Sequence, residues 1–310
     1  MGFKLTVAIP TYNRPDRIRA QVRRLLPQLR EGVTIVIRDN CSDTPVQSLF
    51  SDDELDRITI VRNDINIGAD ANIVESIRNV ETGWVWTLSD DDVITNNAID
   101  IIIQTIHNNL DCCYINFQSK KEEITVGLDN TLEHLKIYGA LGVSFFMTDC
   151  VYNIDIIKKS IYWYYIFLST QIGQIFMIIK HLEENPNSKC FFSSMSFVEA
   201  VPKGNWSPMQ LITNSSLAVD KFYYRRKDFR KSLFVALANM YLSMLIEDNN
   251  SIYANWHYYI HVIKKFGFFN LLFHNTKLLC GYWASQLLPS SIFWKLRNLC
   301  ASFYNKKIRV

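Results

Sequence analysis

The first 120 residues alternate short β-branched and aromatic runs with stretches of helical periodicity. This alternation indicates βαβ units, because parallel strands need a crossover that is usually helical. The runs are almost continuously apolar, which is typical of strands covered on both faces. The sequence therefore predicts an α/β fold with a mostly parallel sheet flanked by helices. The five predicted strands are residues 5–10, 33–38, 57–62, 83–88 and 112–117.

Two helices are predicted between these strands. Apolar residues recur at helical spacing over 18–29, with Pro15 suited to the first turn and Pro27 expected to shorten the end. A second helix is predicted over 73–80, with Asp70 as a possible N-cap. Each predicted strand thus leads to a polar loop at its carboxyl end.

The pattern is weaker after about residue 125. Residues 132–142 are predicted to be helical, 143–149 to form a strand, and 160–182 to form one long buried helix. From residue 229 onward the pattern is mainly helical. The apolar stretch at 160–180 contains a Gly and two Gln, so it is not expected to span a bilayer.

The formal net charge of +3 conceals an asymmetry between the two parts of the chain. Residues 221–310 hold 14 Lys and Arg against 3 Asp and Glu, which leaves 19 against 27 for residues 1–220. Lys and Arg interleaved with Trp, Phe and Leu suit a helix lying in an anionic bilayer interface. A solvated helical face and electrostatic attraction to nucleic acid are the alternatives.

The seven cysteines show no paired metal-ligand spacing. The amino-terminal residues, MGFKLTVAIP, have no charged segment leading into a long apolar core. Both observations favour a reducing, cytoplasmic environment.

Polar loops follow the first four predicted strands. They are IPTYNRP (9–15), RDNCSDTP (38–45), NDINIGADANI (63–73) and TLSDDDVI (87–94). Open α/β sheets bind ligands at the carboxyl ends of their strands, so these loops are expected to meet at one site. The three adjacent aspartates repel one another unless a cation neutralises their charge, which favours a cation site. The alternative is that they lie in a turn exposed to solvent.

The order of four motifs resembles the family 2 glycosyltransferases, whose nucleotide-sugar-binding fold is called GT-A. The motifs are VAIPTYNRP, VIRDNCSD, NINIGADAN and WVWTLSDDD. They are most similar to bacterial enzymes that build O-antigen and other surface polysaccharides, the abequosyltransferase-like proteins among them. The resemblance implies a GT-A catalytic domain over 1–220, with a nucleotide-sugar-binding half at 1–120 and an acceptor half at 121–220. A mainly helical carboxyl-terminal region would follow at 221–310.

The resemblance places a nucleotide-sugar donor on the first two loops. Tyr12 offers an aromatic surface, and Thr11 with Asn13 offers polar contacts. Asp39 would accept a hydrogen bond from a pyrimidine N–H, or serve only as a turn residue. Arg14 would reach phosphate, or remain an exposed arginine at a helix start. The full set of expected donor contacts is Pro10, Thr11, Tyr12, Asn13, Arg14, Asp39, Asn66, Gly68, Asn72 and Asp90.

The third loop contributes an Asn-x-Gly-x-x-x-Asn segment. Gly68 allows a positive φ or a close backbone approach, and Asn66 and Asn72 can brace the loop against the nucleotide. A purely structural role in shaping the loop is the alternative.

The aspartates are expected to hold a divalent cation, Mn²⁺ or Mg²⁺, because both ions prefer oxygen ligands. Family members usually carry Asp-x-Asp; here Ser89 takes the first position and Asp91 the second. Asp91 is thus the first choice as metal ligand, with Asp90 on the ribose, the metal or its water. Asp92 would support the site or cap a helix.

A catalytic base for the acceptor hydroxyl is harder to place, because residues 156–182 contain no carboxylate. Asp149 is the chosen candidate. Asp155, Glu183 and Glu199 are alternatives, as is a retaining mechanism.

The expected partners are a nucleotide-sugar donor, a saccharide acceptor linked to a polyprenyl diphosphate lipid, and a membrane surface contacted by the basic carboxyl-terminal region. No nucleic acid is expected, and the location would be the inner face of the cytoplasmic membrane, in lipopolysaccharide synthesis.

Two other functions stay open. A nucleotidyltransferase shares diphosphate chemistry but should have a Gly-rich basic loop after strand one; an inactive nucleotide-sugar-binding or scaffold protein would explain the missing base.

Overall fold

A computed structural model describes residues 2–137 and 146–200. The predictions for 221–310, the mainly helical structure and the membrane contact, lie outside the described residues. Also outside them are residues 138–142 of the predicted 132–142 helix, 143–145 of the predicted 143–149 strand, and 201–220 of the predicted acceptor half. Within the part described, no helix is both long enough and apolar enough to cross a membrane.

In the described ranges, eight strands form one sheet in the order β3-β2-β1-β4-β8-β6-β9-β7. The pairs β1–β2, β2–β3, β1–β4 and β6–β9 are parallel, whereas β8 is antiparallel to β4 and β6, and β7 to β9. β5 and β10 pair separately. The strands are β1 (Leu5–Thr11), β2 (Val33–Asp39), β3 (Thr59–Arg62), β4 (Trp84–Thr87), β5 (Val93–Ile94), β6 (Cys112–Asn116), β7 (Glu123–Val126), β8 (Cys150–Asn153), β9 (Lys189–Phe192) and β10 (Val198–Ala200).

Helices cover the sheet, so the predicted α/β architecture is confirmed. The helices are α1 (Pro15–Leu25), α2 (Asp52–Leu55), α3 (Ala69–Arg78), α4 (Ala98–His107), α5 (Gly127–Ile137), α6 (Ile154–Ile157), α7 (Ile161–Ile166) and α8 (Gly173–Glu184). Short 3₁₀ helices lie at Leu26–Gln28, Val46–Leu49, Met147–Asp149, Lys158–Ser160 and Leu168–Thr170.

The core lies on both faces of the central strands. Every residue of β4 and β6 is buried, as the continuous apolar runs predict. β2 instead alternates buried and more exposed residues, and β3 is largely exposed. β3 lies at one edge of the sheet, so within the described part of the chain it pairs with a strand on one side only. Helix α1 buries Ile18, Val22 and Leu25 against the sheet, at the predicted helical spacing.

The prediction of one helix over 160–182 is wrong. The chain forms α7 and α8, separated by a 3₁₀ turn and by Gln171, whose φ of 61° is left-handed. Gly173 then begins α8 against the ring of the buried Tyr164. A Cβ at Gly173 would lie 2.2 Å from Cδ2 of that ring, so the close approach requires a glycine.

Two smaller predictions also need correction. Residues 147–149 form a 3₁₀ helix and not the end of a strand; the strand, β8, begins only at Cys150. The N-cap of α3 is Gly68 and not Asp70, because the chain enters this helix with the positive φ of 88° that glycine tolerates.

The topology brings several strand ends to one edge of the sheet. The carboxyl ends of the parallel β1, β2, β3 and β4 lie there together. Because β8 is antiparallel to β4 and β6, its amino end meets their carboxyl ends, with Cys150 opposite Asn116. Residues just before β8 therefore lie beside the loop that follows β4.

Candidate active site

Two arginines, one in the first loop and one in α1, form ion pairs with the aspartates that follow β4. Arg14 Nη1 lies 2.8 Å from Asp90 Oδ1 and 3.2 Å from Asp91 Oδ2. Arg17 also forms an ion pair with Asp91 Oδ2. The cations that the acidic run requires are thus supplied, in this structure, by the protein itself.

Helix α1 presents one face to this segment. Arg14 is its N-cap, and Arg17 and Gln21 follow at intervals of three and four residues, which places the three side chains on the same side. Gln21 Nε2 donates to the Ser89 carbonyl over 3.1 Å. The start of α1 therefore fixes both the charge and the backbone of the acidic segment.

Asp90 is buried and has two donors. Thr11 Oγ1 donates to its Oδ2 over 2.6 Å, and Arg14 donates to its Oδ1. Burial raises the pKa of Asp90, although these two donors oppose the shift. Thr11 and Arg14, both expected on the nucleotide sugar, thus contact the aspartate expected beside it.

Asp92 connects the acidic segment to the chain before β8. Thr148 Oγ1 donates to Asp92 Oδ2 and accepts a 3.1 Å hydrogen bond from the Ser89 N–H. Burial is the main reason that the pKa of Asp92 is raised. Asp92 therefore supports the site through Thr148.

Asp149, the predicted base, follows Thr148 directly and is 4% exposed. Gln118 Nε2 donates to its Oδ1 over 2.8 Å, and Asp92 is the nearby negative charge. Burial, with a smaller contribution from Asp92, raises the pKa of Asp149 to about 7, although Gln118 opposes the shift. A carboxyl group with such a pKa can both accept and release a proton near neutral pH.

Asp39 lies fully buried at the end of β2. Its carboxylate accepts hydrogen bonds from the backbone N–H groups of Ser42, at 2.9 Å, and Val46, at 3.3 Å. Arg62, at the end of β3, forms an ion pair with it and donates to the Ser42 carbonyl. In this state Asp39 shapes its own loop, as the alternative turn role predicts; the contact with a base remains a prediction.

The first and second loops are joined and enclose a pocket. The Asn13 side chain both accepts from the Asp43 N–H, at 2.8 Å, and donates to its carboxylate, at 3.0 Å. The Asn13 N–H donates to Ser42 Oγ over 3.0 Å. The pocket has a volume of about 260 Å³ and is lined by Asn13, Arg14, Pro15, Ser42, Asp43, Thr44, Val46 and Leu49.

Asparagines organise the third loop. Asn66 Oδ1 accepts from Asn40 Nδ2 at 2.8 Å and from the Gly68 N–H at 2.9 Å. Asn72 is buried, accepts from Asn63 Nδ2 at 2.9 Å and donates to a β2 carbonyl. Gly68 has the positive φ that the sequence predicts. These contacts fit the loop-shaping role of Asn66 and Asn72, and contact with the nucleotide stays a prediction.

Pro10 and Tyr12 differ in what they offer a ligand. Pro10 lies buried within β1, paired with Arg38 of β2, so it shapes the strand end. Tyr12 is 41% exposed and keeps an aromatic surface free for stacking.

The acidic residues fit a divalent cation only in part. Among residues 2–137 and 146–200, no three His, Cys, Asp or Glu side chains are grouped to hold a metal ion. Asp91 Oδ1 accepts one donor, Ser89 Oγ at 2.5 Å, whereas Oδ2 is contacted by two guanidinium groups. One or two carboxylates suit an ion that takes its other ligands from phosphate and water. The residues thus fit a cation that binds with a diphosphate, at the expense of an arginine contact.

Sequence reasoning did not identify four residues of this site: Arg17, Gln21, Arg62 and Thr148. The spacing of Arg14, Arg17 and Gln21 on one helical face is a signal that could have found two of them. Thr148 lay within a wrongly predicted strand. Arg62 ends a strand, where its direction toward Asp39 depends on the pairing of β2 with β3.

The chain belongs to glycosyl transferase family 2, whose model matches residues 6–162, half of the chain. This match covers the loops and strands that form the site, and the resemblance to family 2 noted from the four motifs is confirmed.

Individual relatives are more distant. A Haemophilus influenzae protein named as an uncharacterized glycosyltransferase is 26% identical over 123 residues, which are 40% of this chain and 41% of that protein. Residues 1–349 of S. aureus TarS match with a TM-score of 0.59 and 13% identity, over 85% of this chain and 80% of TarS 1–349. The same domain in complex with UDP-GlcNAc matches with a TM-score of 0.56 and 12% identity, over 84% and 80%. The GT-A fold is thereby confirmed.

Proposed function

We propose that this protein transfers a sugar from a nucleoside diphosphate sugar to a hydroxyl of a saccharide acceptor. The observation that carries the proposal is the joining of Thr11, Arg14, Asp90 and Asp91 at the carboxyl ends of β1 and β4, in a family 2 chain. Paired guanidinium and carboxylate groups at this edge suit a ligand with a charged diphosphate.

The nucleoside end of the donor would occupy the pocket between the first two loops. Ser42 and Val46, which line the pocket, donate backbone hydrogen bonds to the buried Asp39, and the exposed Tyr12 directly precedes the lining residue Asn13. A base stacked on Tyr12 can present its N–H groups toward the β2 loop, and Asn13 keeps the two loops together. Asn66, Gly68 and Asn72 hold the third loop in position.

Asp91, with Asp90 beside it, would hold Mn²⁺ or Mg²⁺ when the donor binds. Such an ion supplies Lewis-acid stabilisation of the departing nucleoside diphosphate. Arg14 and Arg17 remain at the site and can turn toward phosphate oxygens, because the side chains of both are partly exposed.

Asp149 is proposed as the base. The acceptor O–H bond breaks, its proton moves to Asp149, and the oxygen forms a bond to the anomeric carbon. The bond from that carbon to the diphosphate oxygen breaks, and its electron pair leaves with the nucleoside diphosphate. The support for this role is that Thr148, which precedes Asp149, hydrogen-bonds to Ser89 and Asp92 in the loop after β4.

The acceptor is proposed to be a lipid-linked saccharide of surface polysaccharide or O-antigen synthesis, used at the inner face of the cytoplasmic membrane. The support is the charge of residues 221–310, which hold 14 Lys and Arg against 3 Asp and Glu and many aromatic residues. Such a composition favours anionic membrane surfaces. Deletion of residues 287–310 should therefore weaken sedimentation with phosphatidylglycerol vesicles; equal sedimentation would contradict the membrane contact.

The function is tested by incubating the full chain with UDP-, GDP-, CDP- and dTDP-sugars, Mn²⁺ and a membrane extract as acceptor source, and measuring release of free nucleoside diphosphate. One donor class should be turned over. Asp149→Asn should lower kcat about 10²–10⁴-fold while donor binding is kept. Binding of a donor without turnover in any mixture would favour a nucleotide-sugar-binding protein. Turnover that survives Asp149→Asn would reject the proposed base.

A further inference from the structure

Gln118 has an unusual backbone conformation at the end of β6. Its φ is 62°, in the left-handed region, which is uncommon for residues other than Gly, Asn and Asp. Strained conformations persist where surrounding contacts hold them, and they concentrate at functional sites. The contacts that hold Gln118 and those that it makes therefore indicate a use for this conformation.

Backbone hydrogen bonds fix Gln118 and both its neighbours. The Phe117 N–H donates to the Asp149 carbonyl over 2.9 Å, and the Gln118 N–H donates to the Met195 carbonyl over 3.0 Å. The Ser119 N–H donates to the Ser193 carbonyl over 2.8 Å. The turn is thus attached to the chain segments before β8 and after β9.

A side-chain array anchors the same turn from the other side. Ser119 Oγ and His134 Nε2 are 3.0 Å apart, and His134 Nδ1 lies 2.8 Å from Glu123 Oε2. The His134 ring stacks on Phe192 at 4.1 Å, and Ser119 and His134 are both buried. This array joins the turn to β7, α5 and β9, so Gln118 cannot move independently of the sheet.

The fixed turn directs the Gln118 amide at one oxygen of Asp149. Nε2 donates to Oδ1 over 2.8 Å, and Oδ2 accepts no hydrogen bond from the residues that the structure describes. Asp92 is the charged group that faces Asp149, and the adjacent Cys150 thiol is neutral because burial raises its pKa to about 12.

We propose that Gln118 is the positioning residue of Asp149: its amide occupies Oδ1 and leaves Oδ2 to receive the proton of the acceptor hydroxyl. This inference rests on the proposed role of Asp149 as the base. Among the described residues, the Gln118 side chain donates only to the Asp149 carboxylate, and it acts through that group. By donating to the carboxylate it also favours the ionised form, which burial and Asp92 disfavour.

The test follows the Asp149 carboxyl directly. The full chain is labelled with ¹³C at aspartate carboxyl carbons, and their NMR signals are followed against pH without added metal. The signal lost in Asp149→Asn identifies the group, and its midpoint should lie at about 7. Gln118→Met removes the donor at similar size, and Gln118→Gly removes it while relieving the left-handed strain. Both variants should raise the midpoint by about 0.5–1 pH unit, because a lost donor destabilises the ionised carboxyl.

Gln104→Met is the control, because it makes the same exchange at an exposed glutamine on α4. It should leave the midpoint unchanged. The acid limb of the pH profile of nucleoside diphosphate release should move with the midpoint in both Gln118 variants. An unchanged midpoint in either variant would overturn the inference, even if Asp149→Asn abolishes turnover. Turnover that survives Asp149→Asn would instead remove the base role, whatever the NMR midpoints show.

Discussion

Ser89 Oγ donates a hydrogen bond to Asp91 Oδ1 over 2.5 Å. The sequence resemblance predicts that Ser89 takes the first position of the Asp-x-Asp pattern. A carboxylate cannot donate, so the exchange replaces a repulsion by a hydrogen bond and fixes the orientation of Asp91. The remaining negative charge of Asp90 and Asp91 is then matched by Arg14 and Arg17.

Ser89→Asp is expected to destabilise the protein in cation-free buffer by about 1–3 kcal/mol, because Asp91 loses a donor and gains a like charge. Mn²⁺ should restore the stability of this variant, because the introduced carboxylate and Asp91 face one another and can both bind the ion. Thermal unfolding with and without Mn²⁺ measures both effects. Ser89→Ala, the control, loses only the donor and should respond to Mn²⁺ no more than the wild type. Equal stability and equal Mn²⁺ response of Ser89→Asp and Ser89→Ala would contradict this role of Ser89.

Arg17→Gln is expected to tighten Mn²⁺ binding about fivefold or less in the absence of nucleotide, because it removes a cation that competes for Asp91. The expected gain in affinity is small because Arg17 is partly exposed, and solvent weakens its ion pair with Asp91. Electron paramagnetic resonance of free Mn²⁺ measures the affinity. Arg19→Gln is the matched control, because Arg19 lies on the same helix and pairs with Asp16. Equal affinities of the Arg17 and Arg19 variants would argue against competition at Asp91.

Gly173→Ala should destabilise the fold by about 1–3 kcal/mol, because the added methyl overlaps the buried Tyr164 ring. The ring must move within a packed region, and the α7–α8 junction must open. Urea unfolding followed by circular dichroism gives the loss. Gly2→Ala, where a Cβ meets nothing within 4 Å, should leave stability unchanged. A Gly173 variant as stable as the wild type would show that the junction is not tightly packed.

The sequence predicted the fold of residues 1–120 well because strands β1 to β4 have strong apolar runs with polar loops at regular intervals. Helix α1 was predicted from its apolar spacing for the same reason. The described residues after 120 were predicted less well. The break between α7 and α8 depends on Gly173 meeting Tyr164, a contact that no local pattern reveals.

In the site, too, the residues within local motifs were predicted and their distant partners were not. Motif order placed the aspartates, Arg14 and Asp39 on adjacent loops, and the structure brings these loops together. The partners that complete them come from distant positions: Thr148 reaches Asp92 across 56 residues, and Gln118 reaches Asp149 across 31. These contacts follow from antiparallel β8 lying beside β4 and β6, which the sequence alone did not indicate.

The most direct test of the account is the metal dependence of nucleoside diphosphate release in the wild type and in Asp91→Asn. With the active donor and acceptor, release by the wild type should rise with Mn²⁺ and stop with EDTA. Asp91→Asn should lose at least about 10²-fold in kcat/KM at any Mn²⁺ concentration, since the ion loses its main protein ligand. Release by Asp91→Asn at the wild-type rate, with the same Mn²⁺ dependence, would contradict the assignment of this aspartate and of the site built around it.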